Sequence, residues 1–385
     1  MKNSPGNPAA IRINPLRVIL GGALLFLAAN LVFALINPPV ASLTLINKVL
    51  PGFRRFPIPR TTQEKDGVST TSGEFIANLD ILLSSHRISA KEKPKDEYRI
   101  VLVGDSTVWA SALELNQTLT EQINQAQLVS CDGRRMVAYN LGYPGVSAIK
   151  DLIIFSETAG NHHPDLVVWF FSLTTLVPER TRDIGFSMVN HDRLRAIEQA
   201  SGYDFGSGKH IPAKTYFMDR TLYGRRAELA FLLRLYMFDL KTLALGTDYL
   251  GTQNEIEFIQ DPAGYEDDFL GFGSGDNIHD LVDLNFLLAA EKISGSIPVI
   301  YFNEPIYIEE NNPVRYNQVY PHWVYDQYRE LLASLSREQG WLYVDGWDSL
   351  PPDEFVDTVF HRTVEGETRV AQGLMPIIQM EACKK

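Results

Sequence analysis

The chain is short of cysteine, with two residues, Cys131 and Cys383, among 385. Two thiols cannot build a disulfide framework or a four-ligand zinc site. One bridge between them would need the C-terminal tail to fold back, and so low a count fits an oxidising or a reducing compartment. Positive charge is scarce as well: 35 Lys and Arg stand against 47 Asp and Glu, a formal net charge of −12. Nucleic-acid binding rests on basic side chains that neutralise phosphates, so that class of partner is excluded. No internal repeat and no Gly- or Pro-dominated tract occurs, and 45% hydrophobic content is too high for a disordered chain. The length allows one large domain or two modest ones with an ample core.

One long uncharged run is present. Residues 18–36, VILGGALLFLAANLVFALI, are apolar apart from Asn30. At helical rise the run spans about 28 Å, close to the hydrocarbon thickness of a bilayer. A cleaved signal peptide usually has a shorter apolar core, about 7–15 residues, and a buried core helix is seldom so uniformly apolar. A retained single-span anchor is the expectation, with a cleaved signal as its alternative. Lys2, Arg12 and Arg17 precede the run and Lys48, Arg54, Arg55 and Arg60 follow it, so the flanking charges are nearly balanced. The short tail over 1–17 resembles that of a signal-anchor, which favours a cytoplasmic N-terminus and an extracytoplasmic remainder. Residues 37–97 read as a juxtamembrane connector punctuated by Pro38, Pro39, Pro51, Pro57 and Pro59. It includes a helix expected over 74–84 and a closing charged run, KEKPKDE, expected to be solvated.

Residues 98–378 read as the functional domain, followed by a tail over 379–385. RIVLVGDS is a β-branched apolar run ending in a Gly-Asp turn, the signature of a buried strand. MVAYN, PDLVVWFFSL, SIPVIYFNEP and GWLYVDGWD repeat the pattern, separated by helix-length segments. Such spacing implies βαβ units and a parallel sheet covered on both faces, an α/β fold. An insert over about 179–296 interrupts the series. Its stretch 223–245 is apolar but broken by Arg225, Arg226, Glu228, Arg234, Asp239 and Lys241, which excludes a second span. An amphipathic helix packed on the core is expected there, a membrane-surface helix being the sharper alternative. GFGSG at 271–275 follows no strand and lacks the GxGxxG spacing, so it reads as a loop.

The chemistry centres on Gly104-Asp105-Ser106 at the end of the first strand of that series. The carboxyl ends of parallel strands are where open α/β folds bind ligands. A serine there is a weak nucleophile unless a base removes its proton. Of eight histidines, His361 stands out: it follows the fifth strand, and Asp357 lies four residues before it. An Asp–His pair on a loop is structural more often than catalytic; beside a strand-end serine the balance reverses. The aromatic cluster over 316–328 could stack on sugar rings, although packing explains such clusters more often.

RIVLVGDSTVWAS resembles the first block of the SGNH (GDSL-like) hydrolase family, and DTVFHRTVEGETRVA resembles its last. The resemblance covers residues 98–178 and 297–378. It implies a flavodoxin-like three-layer α/β/α sandwich with Ser106 as nucleophile, His361 as general base and Asp357 as the orienting acid. NLGYPGVS is similar to the second block, which implies that Gly145 gives a backbone N–H to the oxyanion alongside that of Ser106. Two departures stand out. Ser172 and Thr174 occupy the positions where the third block carries Gly and the oxyanion Asn, and the last block has one extra residue between Asp357 and His361. With the apolar run, these departures resemble extracytoplasmic members of envelope polysaccharide pathways. The implied activity is a membrane-anchored serine esterase or O-acyl hydrolase, acting through an acyl-serine on ester-linked acyl groups of envelope glycans or lipids. Alternatives are an O-acyltransferase working with a membrane-bound O-acyltransferase, and a non-catalytic assembly protein on the same scaffold. Serine acyl chemistry implies no cofactor and no metal.

Overall fold

Residues 14–43, 51–58, 60–65, 68–73, 75–90, 92–111, 113–177, 184–209, 216–246, 267–356 and 359–384 are described by a computed structural model. The chain divides into two units, residues 1–43 with 213–234 and residues 44–212 with 235–385.

The first unit is built on helix α1, Pro15–Ile36. Asn14 starts it by accepting the Leu16 N–H at 3.0 Å, and Pro15 supplies a preset φ in the first turn. Asn37 ends it in the left-handed region at φ 44°. This helix is long and apolar enough to cross a membrane.

The second unit holds a hairpin, β1 (Arg60–Lys65) with β2 (Val68–Gly73), and a five-stranded sheet. Its elements continue through α2 (Leu79–Ser85), β3 (Glu97–Val103), α3 (Ser106–Trp109), α4 (Leu119–Gln125), β4 (Arg135–Asn140), α5 (Ala148–Asn161) and β5 (Leu166–Phe171). The insert contributes α6 (Ile184–Val189), α7 (His191–Ser201), α8 (Arg226–Leu245, whose start belongs to the first unit), α9 (Ile278–Leu281) and α10 (Asn285–Ser294) to the chain. Strand β6 (Val299–Asn303), α11 (His322–Gln339), β7 (Leu342–Asp345) and α12 (Val364–Ala382) complete it. The large sheet has the order β4-β3-β5-β6-β7 with every pair parallel. Counted within the sheet this is 2-1-3-4-5, the flavodoxin-like order.

All five expected strands form: β3, β5 and β6 are largely apolar runs buried along their whole length, β4 is buried over most of its length, and β7 at the sheet's edge is half-buried. Ile100, Leu102, Val168, Phe170, Ile300 and Phe302 point to one face and pack with Leu119 and Ile123 of α4 and Val370, Leu374 and Ile378 of α12. The alternate residues point the other way: Trp169 stacks on Phe155 of α5, and the Tyr301 hydroxyl reaches the Leu287 carbonyl of α10. The result is the expected three-layer sandwich.

Three sequence-based expectations need correction. The helix foreseen over 74–84 begins later, at Leu79, because the Asn78 side chain caps it by accepting from Asp80 and Ile81. The charged run ending at residue 97 is not simply solvated. Glu97 is buried and paired with buried Arg99 at 2.6 Å, while Lys93 pairs with Asp165 at 2.5 Å. The segment read as connector also enters the core. The buried Arg55 guanidinium donates to the carbonyls of Trp109, Ala110 and Leu113 at 2.9, 2.8 and 3.1 Å. It also lies 4.1 Å from the Trp109 ring centroid.

The C-terminal tail does fold back. Cys383, just past α12, is disulfide-bonded to Cys131 in the loop before β4, across a sequence separation of 252. So long a closed loop restricts the unfolded chain strongly. Cys383→Ser is expected to destabilise the domain by about 2–4 kcal/mol, and a thiol reductant should lower the parent to the variant's level. Thermal unfolding with and without reductant checks this; identical melting of parent and variant would remove the bridge from the stability account.

Candidate active site

Strand β3 delivers Gly104, Asp105 and Ser106 to the carboxyl edge of the sheet. The chain leaves β3 toward β4 on one side, whereas β5 pairs on the other, so this edge is the topological switch point. Gly104 is dictated by space: a Cβ there would lie 2.7 Å from Val108 Cγ2 and 3.1 Å from the Phe170 carbonyl. Buried Asp105 accepts the Thr107 N–H at 2.9 Å and so starts the turn of α3. That helix is a single turn, ended by Ala110 at φ 63°, so its dipole offers the serine little. Ser106 is partly exposed between buried neighbours.

His361 arrives from the other end of the chain. Its loop is closed by the Val356 N–H to the His361 carbonyl at 3.0 Å and the Thr363 N–H to the Glu354 carbonyl at 2.9 Å. Thr363 then caps α12 by accepting the Gly366 N–H at 3.1 Å. The His361 Nε2 lies 2.9 Å from Ser106 Oγ, within hydrogen-bond distance. Asp357 lies outside the described residues.

The loop after β4 is stitched to the same edge. Tyr143 N–H donates to the Gly104 carbonyl at 2.9 Å, and Asn140 Nδ2 donates to the Val108 carbonyl at 2.6 Å. Gly145 has φ 101°, a conformation that other residues rarely adopt. Fully buried Lys150 donates to the Tyr143 and Gly145 carbonyls and pairs with fully buried Asp151 at 3.3 Å. Burial pushes the Asp151 carboxyl up to about 7, against the opposing pull of Lys150.

Past the end of β5, Ser172 and Thr174 belong to a knot of buried hydroxyls. Thr174 Oγ1 is 3.0 Å from Ser172 Oγ and 2.9 Å from the Tyr320 hydroxyl, which also accepts the Thr174 N–H at 3.3 Å. Burial raises the Tyr320 hydroxyl far above neutrality, so it stays a proton donor. Tyr320, Tyr325 and Tyr328 are fully buried, which makes them packing residues rather than a sugar platform.

The sequence reading passed over the charge cluster behind the Ser–His pair. Buried Arg362 reaches Glu304 at 3.5 Å, Glu367 at 3.2 Å and the Thr107 carbonyl at 3.3 Å. Burial pushes both carboxyls upward, and Asp105 adds to the rise at Glu304. Glu304, directly after β6, sits at another strand end of the same edge, the one signal that could have flagged it.

No family profile matches the chain, and no curated protein does. Solved structures similar to it include a carbohydrate acetylesterase family member from Sinorhizobium meliloti, 13% identical with a TM-score of 0.33, covering 74% of this chain and 98% of that one. Another is an acetylxylan esterase from Geobacillus stearothermophilus solved as a catalytic mutant. It is 14% identical with a TM-score of 0.34, covering 75% of this chain and 97% of that one.

The raised carboxyls predict a pH dependence. Asp151 titrates near 3.8 when unperturbed and near 7 in the fold, so its protonated form stabilises the native state below about 4. That contribution is lost as pH rises through 7, at no more than about 1.4 kcal/mol per pH unit. Asp151→Asn, which stands in for the protonated acid, should therefore lose less stability than the parent between pH 4.5 and 7. Urea unfolding of both proteins across that range isolates the difference; parallel curves would show that Asp151 is ionised throughout.

Proposed function

We propose that the protein is a membrane-anchored serine esterase, an O-acyl hydrolase of the SGNH type. The 2.9 Å contact of Ser106 Oγ with His361 Nε2 at the switch-point edge carries this reading. His361 takes the hydroxyl proton as Ser106 Oγ bonds to the ester carbonyl carbon. The resulting oxyanion is met by the N–H groups of Ser106 and Gly145 and by the Thr174 hydroxyl. Collapse breaks the ester C–O bond, His361 hands its proton to the departing alcohol, and the acyl group remains on Ser106. Water, deprotonated by His361, then releases the acid and restores the serine.

The Thr174 role follows from its neighbours. An Asn side chain brings its own N–H donor; a hydroxyl must be turned. With Tyr320 or Ser172 donating to Thr174 Oγ1, the Thr174 proton is left to point at the oxyanion. Asp357 orients His361 in this reading, as the family resemblance implies.

Ester-linked acyl groups on envelope glycans or lipids are the proposed substrates. Two features support an extracytoplasmic site: α1 has the length and hydropathy of a span, and the Cys131–Cys383 bridge suits an oxidising compartment. Water as acceptor is the simplest outcome for a partly exposed serine.

Labelling by a fluorophosphonate, located by intact mass, tests the nucleophile. Ser106→Ala should abolish labelling and ester hydrolysis with the fold intact, and His361→Ala should cost nearly as much, because residues of such a unit are not additive. Labelling that persists in Ser106→Ala would place the nucleophile elsewhere.

Steady-state kinetics test the third oxyanion donor. Thr174→Val should lower kcat by roughly ten- to a hundredfold with KM little changed, since the oxyanion exists only along the reaction path. An unchanged kcat would reduce Thr174 to packing at the strand end.

A further inference from the structure

Within the first unit, α1 is bare on nearly every side. Asn30 and Ala34 are its buried residues, and their i, i+4 spacing puts them on one face. The cover over this unit's helix comes from the insert. Tyr223 N–H donates to Asn30 Oδ1 at 3.0 Å, and Arg225 Nη1 donates to the Pro38 carbonyl at 2.6 Å just past the helix end. Asn30 lies six residues before Ile36, about 9 Å inside the helix terminus at helical rise.

Several N–H groups of the covering segment find acceptors within it. Tyr216 N–H donates to Asp219 Oδ2 at 2.8 Å, Thr221 N–H to the Met218 carbonyl at 3.1 Å, Gly224 N–H to Thr221 Oγ1 at 3.0 Å and Arg225 N–H to the Thr221 carbonyl at 2.9 Å. Its apolar side chains do the opposite of what water favours. Tyr216, Phe217, Met218 and Tyr223 are 68%, 53%, 58% and 54% exposed. Arg226 lies over the Tyr223 ring at 4.4 Å. Backbone N–H groups paired internally, large apolar groups turned outward and an Arg–Tyr rim form the composition of a membrane interface.

We propose that residues 216–226 form an interfacial wedge, lodged in the leaflet that holds the C-terminal end of α1. Tyr216, Phe217, Met218 and Tyr223 face acyl chains at the hydrocarbon boundary, and Arg225 and Arg226 lie at the level of the lipid phosphates. The occupant of the exposed apolar surface is lipid, because the segment is bonded to the very helix that lipid must surround. This inference rests on reading α1 as a membrane anchor. It replaces the expectation of a helix merely packed on the core, at least for the start of the 223–245 stretch, with a membrane-surface role.

Spin-label accessibility tests it on the full chain in nanodiscs of phosphatidylethanolamine and phosphatidylglycerol. Nitroxides are attached singly at Phe217→Cys, Met218→Cys, Leu25→Cys in mid-span, and Glu338→Cys on exposed α11; the native cysteines are already bonded to each other. Relaxation by oxygen relative to a water-soluble nickel chelate should be several-fold higher at 217 and 218 than at 338, and highest at 25. Labels at 217 and 218 as open to the chelate as that at 338, with 25 shielded, would overturn the wedge and leave the anchor standing. A label at 25 open to the chelate would remove the anchor itself. Labels at 217 and 218 screened from both reagents would mean that protein, not lipid, covers the surface.

Discussion

Ser106 and His361 are separated by most of the domain's sequence, and Arg362 lies between the loops that carry them. The guanidinium is buried and bonds the carbonyl of Thr107, the residue after Ser106, while its own backbone follows His361. One side chain thus ties the two loops together directly behind the reacting atoms. Glu304 and Glu367 hold it from β6 and α12. A buried charge with fewer partners would be costly, and removing one member of such a cluster typically costs about 3–5 kcal/mol. Burial raises the carboxyls of Glu304 and Glu367 against the pull of Arg362, and the charge of Asp105 adds to the rise at Glu304. The arrangement gives up stability at higher pH while tying the Ser106 and His361 loops together.

A second buried cation works the same way on the neighbouring loop. Lys150 draws in the carbonyls of Tyr143 and Gly145 and so fixes the course of that stretch of backbone. The positive φ of Gly145 is part of that course. Arg55 is a third, gathering the carbonyls at the end of α3 from a segment far earlier in the chain. In each case a long basic side chain bonds to carbonyl oxygens at a tight turn. The edge of the sheet is therefore held by buried cations as much as by the strands beneath it.

This explains what could and could not be read from sequence. The five strands were legible because each is a continuous β-branched or aromatic run, and the parallel order follows from the helix-length gaps. Ser106 and His361 were legible as motif residues at strand and helix ends. The buried cations were not: Arg55, Lys150 and Arg362 look like surface residues in a sequence, since long charged side chains are almost never fully buried unless paired. Arg55 and Arg362 bond carbonyls, and in the case of Arg362 also an acid, distant along the chain, a pairing that only the fold creates, whereas Lys150 bonds the loop just before it. Tyr320 was noticed for its aromaticity, whereas its contribution is a hydroxyl beside Thr174, again a long-range juxtaposition. Asp357, read from the motif, lies outside the described residues, so its role rests on the resemblance alone.

The compartment is where separate features bear on one question. Basic residues flank α1 almost evenly, so charge does not decide which end faces the cytoplasm. The Cys131–Cys383 bridge weighs on that choice, because cytosolic thiols are kept reduced. A bridge clamping α12 to the loop before β4 also clamps the helix that follows His361, so its reduction would loosen the base as well as the fold. An N-terminus in the cytoplasm with Ser106 on the other side is the arrangement in which the proposed anchor and the bridge are mutually consistent. In the opposite orientation the bridge would be open, and α12 would lose the covalent tie at its far end.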